Sequence, residues 1–253
     1  MTAPAIVSAC VITCLTMLPA PGVEHPPGQP AKESKPEQPV TRKLHEIIIP
    51  SISVDGVTIG EVGDFLSLRS KELASDKVPL QITGASAEIE GIRIDSLRMS
   101  NMPVGVALAY VAAKTGTRMV VDDGVIRFLA ADTQAGPGLT PEDFANKQAA
   151  PPSDPAKVII PEVKLENATL ADAIDLIRMR SMENDPARRG INIILLLDAA
   201  KTPKVKSLKL ENKSAHEALE AIAKATGTRL VLASHAVEFW PLASEKTVTT
   251  GWR

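Results

Sequence analysis

Residues 209–232 read KLENKSAHEALEAIAKATGTRLVL, and residues 98–121 read RMSNMPVGVALAYVAAKTGTRMVV. These two stretches lie 111 residues apart and decide the fold. The comparison extends without a gap to residues 47–130 (repeat one) and 158–241 (repeat two), where 21 of the 84 aligned positions are identical. Ordinary composition would give roughly 5 identities by chance. A repeat this long predicts two similar domains and not a solenoid.

Each repeat carries the pattern of the same seven elements, in the order β-α-β-β-α-β-β. Capping boxes open helices at Thr58 and Thr169, and another opens the last helix of repeat two at Ser214. Pro103 suits the first position of the matching helix in repeat one. Glycines stand where a left-handed helix end belongs. We therefore predict an α+β fold of two tandem small domains, each a mixed sheet with two helices packed on it.

The strand that precedes the second helix of each repeat has an interrupted alternation. Leu97 and Met99 alternate with polar residues, but Ile94 upstream has the opposite parity, and Val205 breaks parity with Leu208 in the same way. A one-residue bulge near Asp95 and near Lys206 would place all these side chains on one face. The sequence therefore predicts a bulge at both positions.

The ends of the chain and the segment between the repeats have a different composition. Residues 1–18 contain no charge, and the first charged residue is Glu24, which is typical of an export signal. Cys10 closes a sequence similar to a lipoprotein box, so lipidation is an alternative. Twelve of the 20 prolines lie in residues 19–39 and 137–155, which predicts a tether and a linker. The predicted divisions are a signal-like segment (1–20), a Pro-rich tether (21–43), domain one (44–131), a Pro/Ala-rich linker (132–156) with one helical turn at residues 140–144, domain two (157–243) and a C-terminal tail (244–253).

Residues 207–219 resemble the strand, Asn and Glu-Ala-Leu helix of the short N-terminal (STN-type) domain shared by secretins and TonB-dependent receptors. Residues 225–232 resemble the ending of that domain, a helix, a glycine and a strand. Repeat one matches through residues 97–101 and 114–118 but has Gly105-Val106-Ala107-Leu108 in place of Glu-Ala-Leu. The resemblance implies periplasmic domains that pack against neighbours or regulatory proteins and are not enzymes. The barrel region of secretins and receptors is not seen here, so the resemblance points to a stand-alone or accessory relative.

Chemistry-bearing patterns are sparse. Both cysteines, Cys10 and Cys14, fall in the signal-like segment, so the body has no thiol and no disulfide. The four histidines have no metal-ligand spacing, and no nucleophile or phosphate-binding motif occurs. We therefore expect no catalytic residue, no metal and no cofactor. Two weaker patterns have ordinary interpretations: Glu88 with Glu90 as a charged loop, and the recurring pairs Asp64/Arg69 and Asp175/Arg180 as solvated helix faces.

Basic residues concentrate in one part of repeat two. Arg188 and Arg189 precede a strand region that carries Lys201, Lys204, Lys206, Lys209 and Lys213, whereas repeat one has acidic residues in the aligned zone. Such a set predicts an electrostatic contact with an acidic partner or glycan, or between repeat one and repeat two of neighbouring chains. The alternative is an edge strand that lysine protects from aggregation.

These observations predict a non-enzymatic, exported module for protein–protein interaction in a bacterial periplasm or envelope. The expected partners are envelope proteins, secretin-like machinery or another copy of the chain. With a net charge of −2 and 3% aromatic residues, nucleic acid is not expected as a partner. Membrane contact is expected only through the N-terminal segment. Two alternatives stay open: a carbohydrate-binding or enzymatic site between the repeats, and an envelope signalling domain like that of TonB-dependent receptors.

Overall fold

The computed structural model describes residues 39–133, 138–144, 153–197, 201 and 203–242. The predicted signal-like segment, most of the tether and the whole C-terminal tail lie outside the described residues. All helices and strands described below belong to one compact unit, Glu37–Arg253. That unit is α+β, as predicted.

A short helix, α1 (Pro39–Glu46), precedes repeat one. The elements of repeat one are, in chain order, β1 (Ile48–Thr58), α2 (Ile59–Leu73), β2 (Gln81–Gly84), α3 (Ala87–Glu90), β3 (Arg93–Pro103), α4 (Val104–Thr115), β4 (Thr117–Asp122) and β5 (Val125–Ala130). A single 3-10 turn, Pro141–Phe144, follows in the predicted linker. Repeat two contains β6 (Ile159–Ala168), α5 (Leu170–Asn184), β7 (Ile193–Leu195), β8 (Val205–Ser214), α6 (Ala215–Thr226), β9 (Thr228–Leu232) and β10 (Val237–Pro241).

The predicted helix ends are confirmed by the hydrogen bonds that close them. Thr58, Thr169 and Ser214 each form a complete capping box with the carboxylate three residues later. Gly116 and Gly227 end α4 and α6 in the left-handed conformation, at φ values of +65° and +61°. Pro103 differs from the prediction by one position, because it is the residue that precedes α4 and not its first residue.

The strands of each repeat form two sheets, so the predicted single mixed sheet is wrong. One is an antiparallel ribbon, β1 with β3 and β6 with β8. The other has three strands, in the orders β2-β5-β4 and β7-β10-β9, where β2 and β7 run parallel to their central strand. Alternation of side chains predicts strands, but it does not tell which strands share a ladder.

The predicted bulges are also wrong, because the ribbon register is the same on both sides of the parity change. Asp55 pairs with Ser96 and Val57 pairs with Ile94, so no residue is inserted in either strand. The residue between Asp55 and Val57, Gly56, takes the left-handed conformation at φ +64°. A left-handed residue in β1, opposite the parity change of β3, is therefore found where a bulge was predicted. Each ribbon has two such positions, Gly56 and Asn101 in repeat one and Asn167 and Asn212 in repeat two.

Two stretches that were predicted as tether and linker contribute to the core of repeat one. Val40 of α1, inside the predicted tether, packs against that core, and Phe144 in the predicted helical turn is fully buried. The turn itself is confirmed, with the Asp143 carboxylate accepting hydrogen bonds from the Thr140 amide and hydroxyl. A Cβ on Gly105 would lie 2.5 Å from the Phe144 ring, so glycine is required for this close approach. Both stretches were predicted as spacers from their Pro-rich composition. A single apolar residue in such a stretch does not produce the hydrophobic periodicity from which a packed helix is predicted.

The apolar side chains form two cores. The core of repeat two contains residues of that repeat alone, whereas the core of repeat one also includes Ile194 and Ala236 from repeat two. Ile193, next to Ile194 on β7, points into the core of repeat two. β7 therefore separates the two cores and contributes to both.

Candidate functional site

Helix α4 is buried on all sides, unlike its counterpart α6. Every residue from 104 to 112 is buried, and the segment carries no charge. The matching stretch of α6 contains the exposed or half-buried residues His216, Glu217 and Glu220. An all-apolar helix is one that other elements cover on more than one face. Part of the surface that covers the second face of α4 comes from repeat two. We call the contacts between repeat one and repeat two the junction.

The first junction contact joins Tyr110 of α4 to Glu238 of β10. The Tyr110 hydroxyl donates to Glu238 Oε1 at 2.9 Å, and Trp240 Nε1 donates to the other carboxylate oxygen at 2.8 Å. Burial raises the pKa of Glu238, and the two donated hydrogen bonds oppose that shift. Burial, together with the nearby carboxylate, also raises the pKa of Tyr110. The arrangement keeps a polar triad among apolar residues by giving each carboxylate oxygen a donor.

The second junction contact is a side-chain amide on the edge of a strand. Ser100 of β3 donates its amide to Asn192 Oδ1 at 2.9 Å, and Asn192 Nδ2 donates to the Ser100 carbonyl at 2.9 Å. Asn192 Nδ2 also donates to the His235 carbonyl at 3.2 Å. Asn192 is 3% exposed, so its amide replaces the hydrogen bonds that a neighbouring strand would supply.

The third junction contact is centred on Asp175 of α5. Its carboxylate accepts from Arg98 of β3 and from Arg178 of its own helix. The bond to Asp175 raises the pKa of Arg98, whereas burial lowers the pKa of Arg178. Asp175 was predicted to lie beside Arg180 on a solvated helix face, but it binds Arg98 of the other repeat, while Arg180 pairs with Glu183 at 2.9 Å. The spacing of residues along α5 does not decide which basic residue Asp175 binds. It also cannot show that Arg98 of the other repeat is one of its partners.

A narrow groove runs between β3 and repeat two. It holds about 30 Å³ and is lined by both arginines and Asp175, together with Ser96, Leu97, Ala171, Ile174, Ile193, Ile194 and Leu195. That volume is about the share of a single water molecule in the liquid. Small-molecule sites are usually about 300–1,000 Å³. The groove is therefore a place where two protein surfaces meet.

The predicted partner-binding lysines lie on and near β8. Lys204, Lys206, Lys209 and Lys213 are exposed, and Lys201 is exposed in the segment before that strand. Lys209 forms a 2.6 Å ion pair with Glu211, and Lys213 forms one of 2.8 Å with Glu217. Within the described residues β8 pairs with β6 alone, so its other edge faces outward.

Arg188 and Arg189 belong to a different element, the turn after α5. The Asp185 carboxylate organises that turn, accepting from the Ser153 hydroxyl at 2.5 Å and from the Arg189 amide at 2.7 Å. These hydrogen bonds lower the pKa of Asp185 to about 2. The two arginines and the lysines of β8 are therefore positioned by separate elements of repeat two.

The remaining candidates have local structural contacts. Glu90 accepts from the Thr83 hydroxyl and the Gly84 amide at 3.0 and 3.1 Å, in a short helix where a loop was predicted. The rings of His45 and Phe144 are 5.4 Å apart, and burial lowers the pKa of His235. Across the described ranges, no three His, Cys, Asp or Glu side chains form a group that could hold a metal ion. No helix in those ranges has the length and apolar character of a membrane span.

Comparisons with protein-family models, with curated proteins and with solved structures found no match for this chain.

Three junction residues, Tyr110, Asn192 and Glu238, were not predicted from the sequence. Two signals could have found the first of them. Tyr110 is the single tyrosine of the chain, and it stands where the aligned residue of repeat two is Ala221. The absence of charge around α4 was the second signal.

Proposed function

We propose that this chain is a non-enzymatic module for protein–protein interaction in the bacterial envelope, composed of two tandem copies of an STN-like domain. The observation that carries the proposal is the contrast between two equivalent strands. β3 has its outer edge covered by Asn192 of repeat two, whereas β8 is covered by no described residue on its outer edge. An uncovered strand edge with lysines is suited to a protein surface that supplies hydrogen bonds and carboxylates.

The size of the groove between the repeats supports the same function over a ligand-binding or enzymatic one. A cleft of about 30 Å³ does not accommodate a sugar ring, and the polar groups around it are already paired with each other. Export to the envelope is part of the proposal and rests on the uncharged residues 1–18. Kinship with secretin-type machinery rests on the sequence resemblance of both repeats.

Site-specific photo-crosslinking in cells tests this function. A photoreactive residue in place of Lys206, which is exposed on β8, is expected to give one discrete protein adduct in the envelope fraction. The same residue in place of Lys224, which is exposed on α6, is the matched control and is expected to give none. Equal labelling at both positions, or no adduct from Lys206, would contradict the proposal.

A further inference from the structure

The groove that receives β3 has a counterpart elsewhere in the molecule. In repeat two the groove lies between α5 and β7, and β3 contributes Ser96, Leu97 and Arg98 to it. A second cavity, of about 90 Å³, lies between α2 and β2 of repeat one. Six of its lining residues stand 111 positions before lining residues of the first groove: Gly60, Gly63, Asp64, Ile82, Thr83 and Gly84 precede Ala171, Ile174, Asp175, Ile193, Ile194 and Leu195.

The groove of repeat one keeps the polar groups that bind the strand in repeat two. Asp64 aligns with Asp175, which binds Arg98, and Gln81 aligns with Asn192, which binds the Ser100 main chain. Asp64 and Gln81 are both exposed. No hydrogen bond or ion pair of either side chain is found among the described residues. Both groups are therefore available to a strand that is not part of the same repeat.

The strand that would fit this groove is also present in the chain. Ser207, Leu208 and Lys209 of β8 align with Ser96, Leu97 and Arg98 of β3, and the first two positions are identical. The third keeps its positive charge, opposite the negative charge of Asp64. One chain thus carries two grooves and two matching strands, and only one groove and one strand are engaged with each other in the part of the chain that the structure describes.

We propose that a second copy of this chain docks its β8 in the groove between α2 and β2 of repeat one. In this contact Lys209 binds Asp64, and the Gln81 amide binds the main chain of Glu211 as Asn192 binds Ser100. The proposal rests on the proposed function and names its partner, a second copy that binds head to tail. Lys209 leaves its ion pair with Glu211 at little cost, because the two side chains are each 60% exposed and such pairs contribute little.

The proposed contact between two chains lacks one of the interactions that join the repeats of a single chain. Ala221 stands where Tyr110 does, and Arg127 stands where Glu238 does, so the buried polar triad has no equivalent. The contact between chains is therefore weaker than the junction. Because the two surfaces differ, the association is heterologous and leaves a free strand at one end and a free groove at the other.

Chemical cross-linking of two cysteine variants tests the geometry. In the full chain with Cys10 and Cys14 replaced by serine, Asp64→Cys molecules are mixed with Lys209→Cys molecules and treated with a short bis-maleimide. Dimers of the two variants are expected to form at least about tenfold faster than dimers of Glu72→Cys with Lys209→Cys, because Glu72 is about two helical turns from Asp64 on α2. Arg98→Cys with Asp175→Cys in one chain is the positive control for the same spacing.

Charge reversal in sedimentation equilibrium tests the recognition. Asp64→Lys or Lys209→Asp alone is expected to weaken self-association about fivefold, the effect of one exposed ion pair. An equimolar mixture of the two variants is expected to associate more tightly than either variant alone. In mixed pairs, the intact β8 of Asp64→Lys meets the intact groove of Lys209→Asp, or the introduced aspartate meets the introduced lysine. Equal cross-linking of the test and off-groove pairs, while the positive control closes, overturns the proposal, and so does a mixture as weak as its components. If Lys206 still labels a different protein in cells, the proposed function survives and only the identity of the partner is wrong.

Discussion

Glu238 is a buried carboxylate whose two oxygens are each held by one donor, Tyr110 and Trp240. Its raised pKa means that the folded chain binds the proton of this group more tightly than the unfolded chain does. The contribution of Glu238 to stability is therefore complete below its ordinary pKa of 4.5 and falls as the pH rises through the folded value.

Replacing Glu238 by glutamine removes this titration. The free energy of unfolding of Glu238→Gln, relative to the original chain, is expected to be higher at about pH 8 than at about pH 4. Urea unfolding at both pH values measures the difference, and Glu220→Gln, on the exposed face of α6, sets the baseline for exchanging a carboxylate for an amide. A relative stability that is flat or falls with pH would show that Glu238 is ionised at no cost in the folded chain.

At the scale of elements, the features predictable from sequence were those with a local cause. Capping boxes at Thr58, Thr169 and Ser214 and left-handed ends at Gly116 and Gly227 depend on residues within one turn, so they were confirmed. The division of strands between a ribbon and a three-stranded sheet depends on contacts far apart in the chain. That division was missed for this reason, and so was the left-handed residue Gly56 in β1.

The left-handed residues of the ribbons predict a specific order of stabilities at Gly56. Asparagine takes this conformation at Asn167, the equivalent position, so Gly56→Asn is expected to cost little. Gly56→Ala is expected to be less stable than Gly56→Asn by about 1 kcal/mol, because alanine gains nothing from a local side-chain hydrogen bond and pays the left-handed penalty. Space is not the reason, since the nearest atom to an added Cβ is 3.4 Å away, on Arg93. Thermal unfolding of the two variants measures the order, and equal stability would show that position 56 does not hold the left-handed conformation at the expected cost.

At the scale of the whole molecule, the repeats share apolar residues as well as polar contacts. Ile194 and Ala236 belong to repeat two in sequence but pack in the core of repeat one. A repeat found in the sequence suggests two independent domains, and nothing in the residue pattern indicates that one strand serves both cores. We infer that repeat one is stabilised by the presence of repeat two.

Adjacent isoleucines on β7 make this testable. Ile194→Ala is expected to cost about 3 kcal/mol and to speed hydrogen exchange in repeat one, because it leaves a cavity there. Ile193→Ala removes the same atoms from the core of repeat two and is expected to speed exchange first in that repeat. Mass spectrometry of peptides from β3 and β8 separates the two patterns. If both variants loosen only repeat two, the cores are independent.

The candidate site was predicted only in part. The lysines of β8 were found from composition and are exposed, and their binding of a partner stays a prediction. Arg188 and Arg189 were grouped with them because they are near in sequence, but they lie in a turn organised by Asp185. The junction was not predicted, because Tyr110, Asn192 and Glu238 reach the other repeat through partners that are 92 or 128 residues distant.

The amide of Asn192 also limits the positions that the two repeats can take relative to each other. In an antiparallel ribbon, main-chain groups that point outward recur at every second residue, while those of the intervening residues point to the partner strand. Asn192 binds both outward groups of Ser100. A slip of one residue would present it with no free groups, and a slip of two would move Arg98 about 7 Å from Asp175. The two repeats can therefore dock only in discrete registers, and only one register satisfies both contacts. The junction consequently does not allow the repeats to slide past each other.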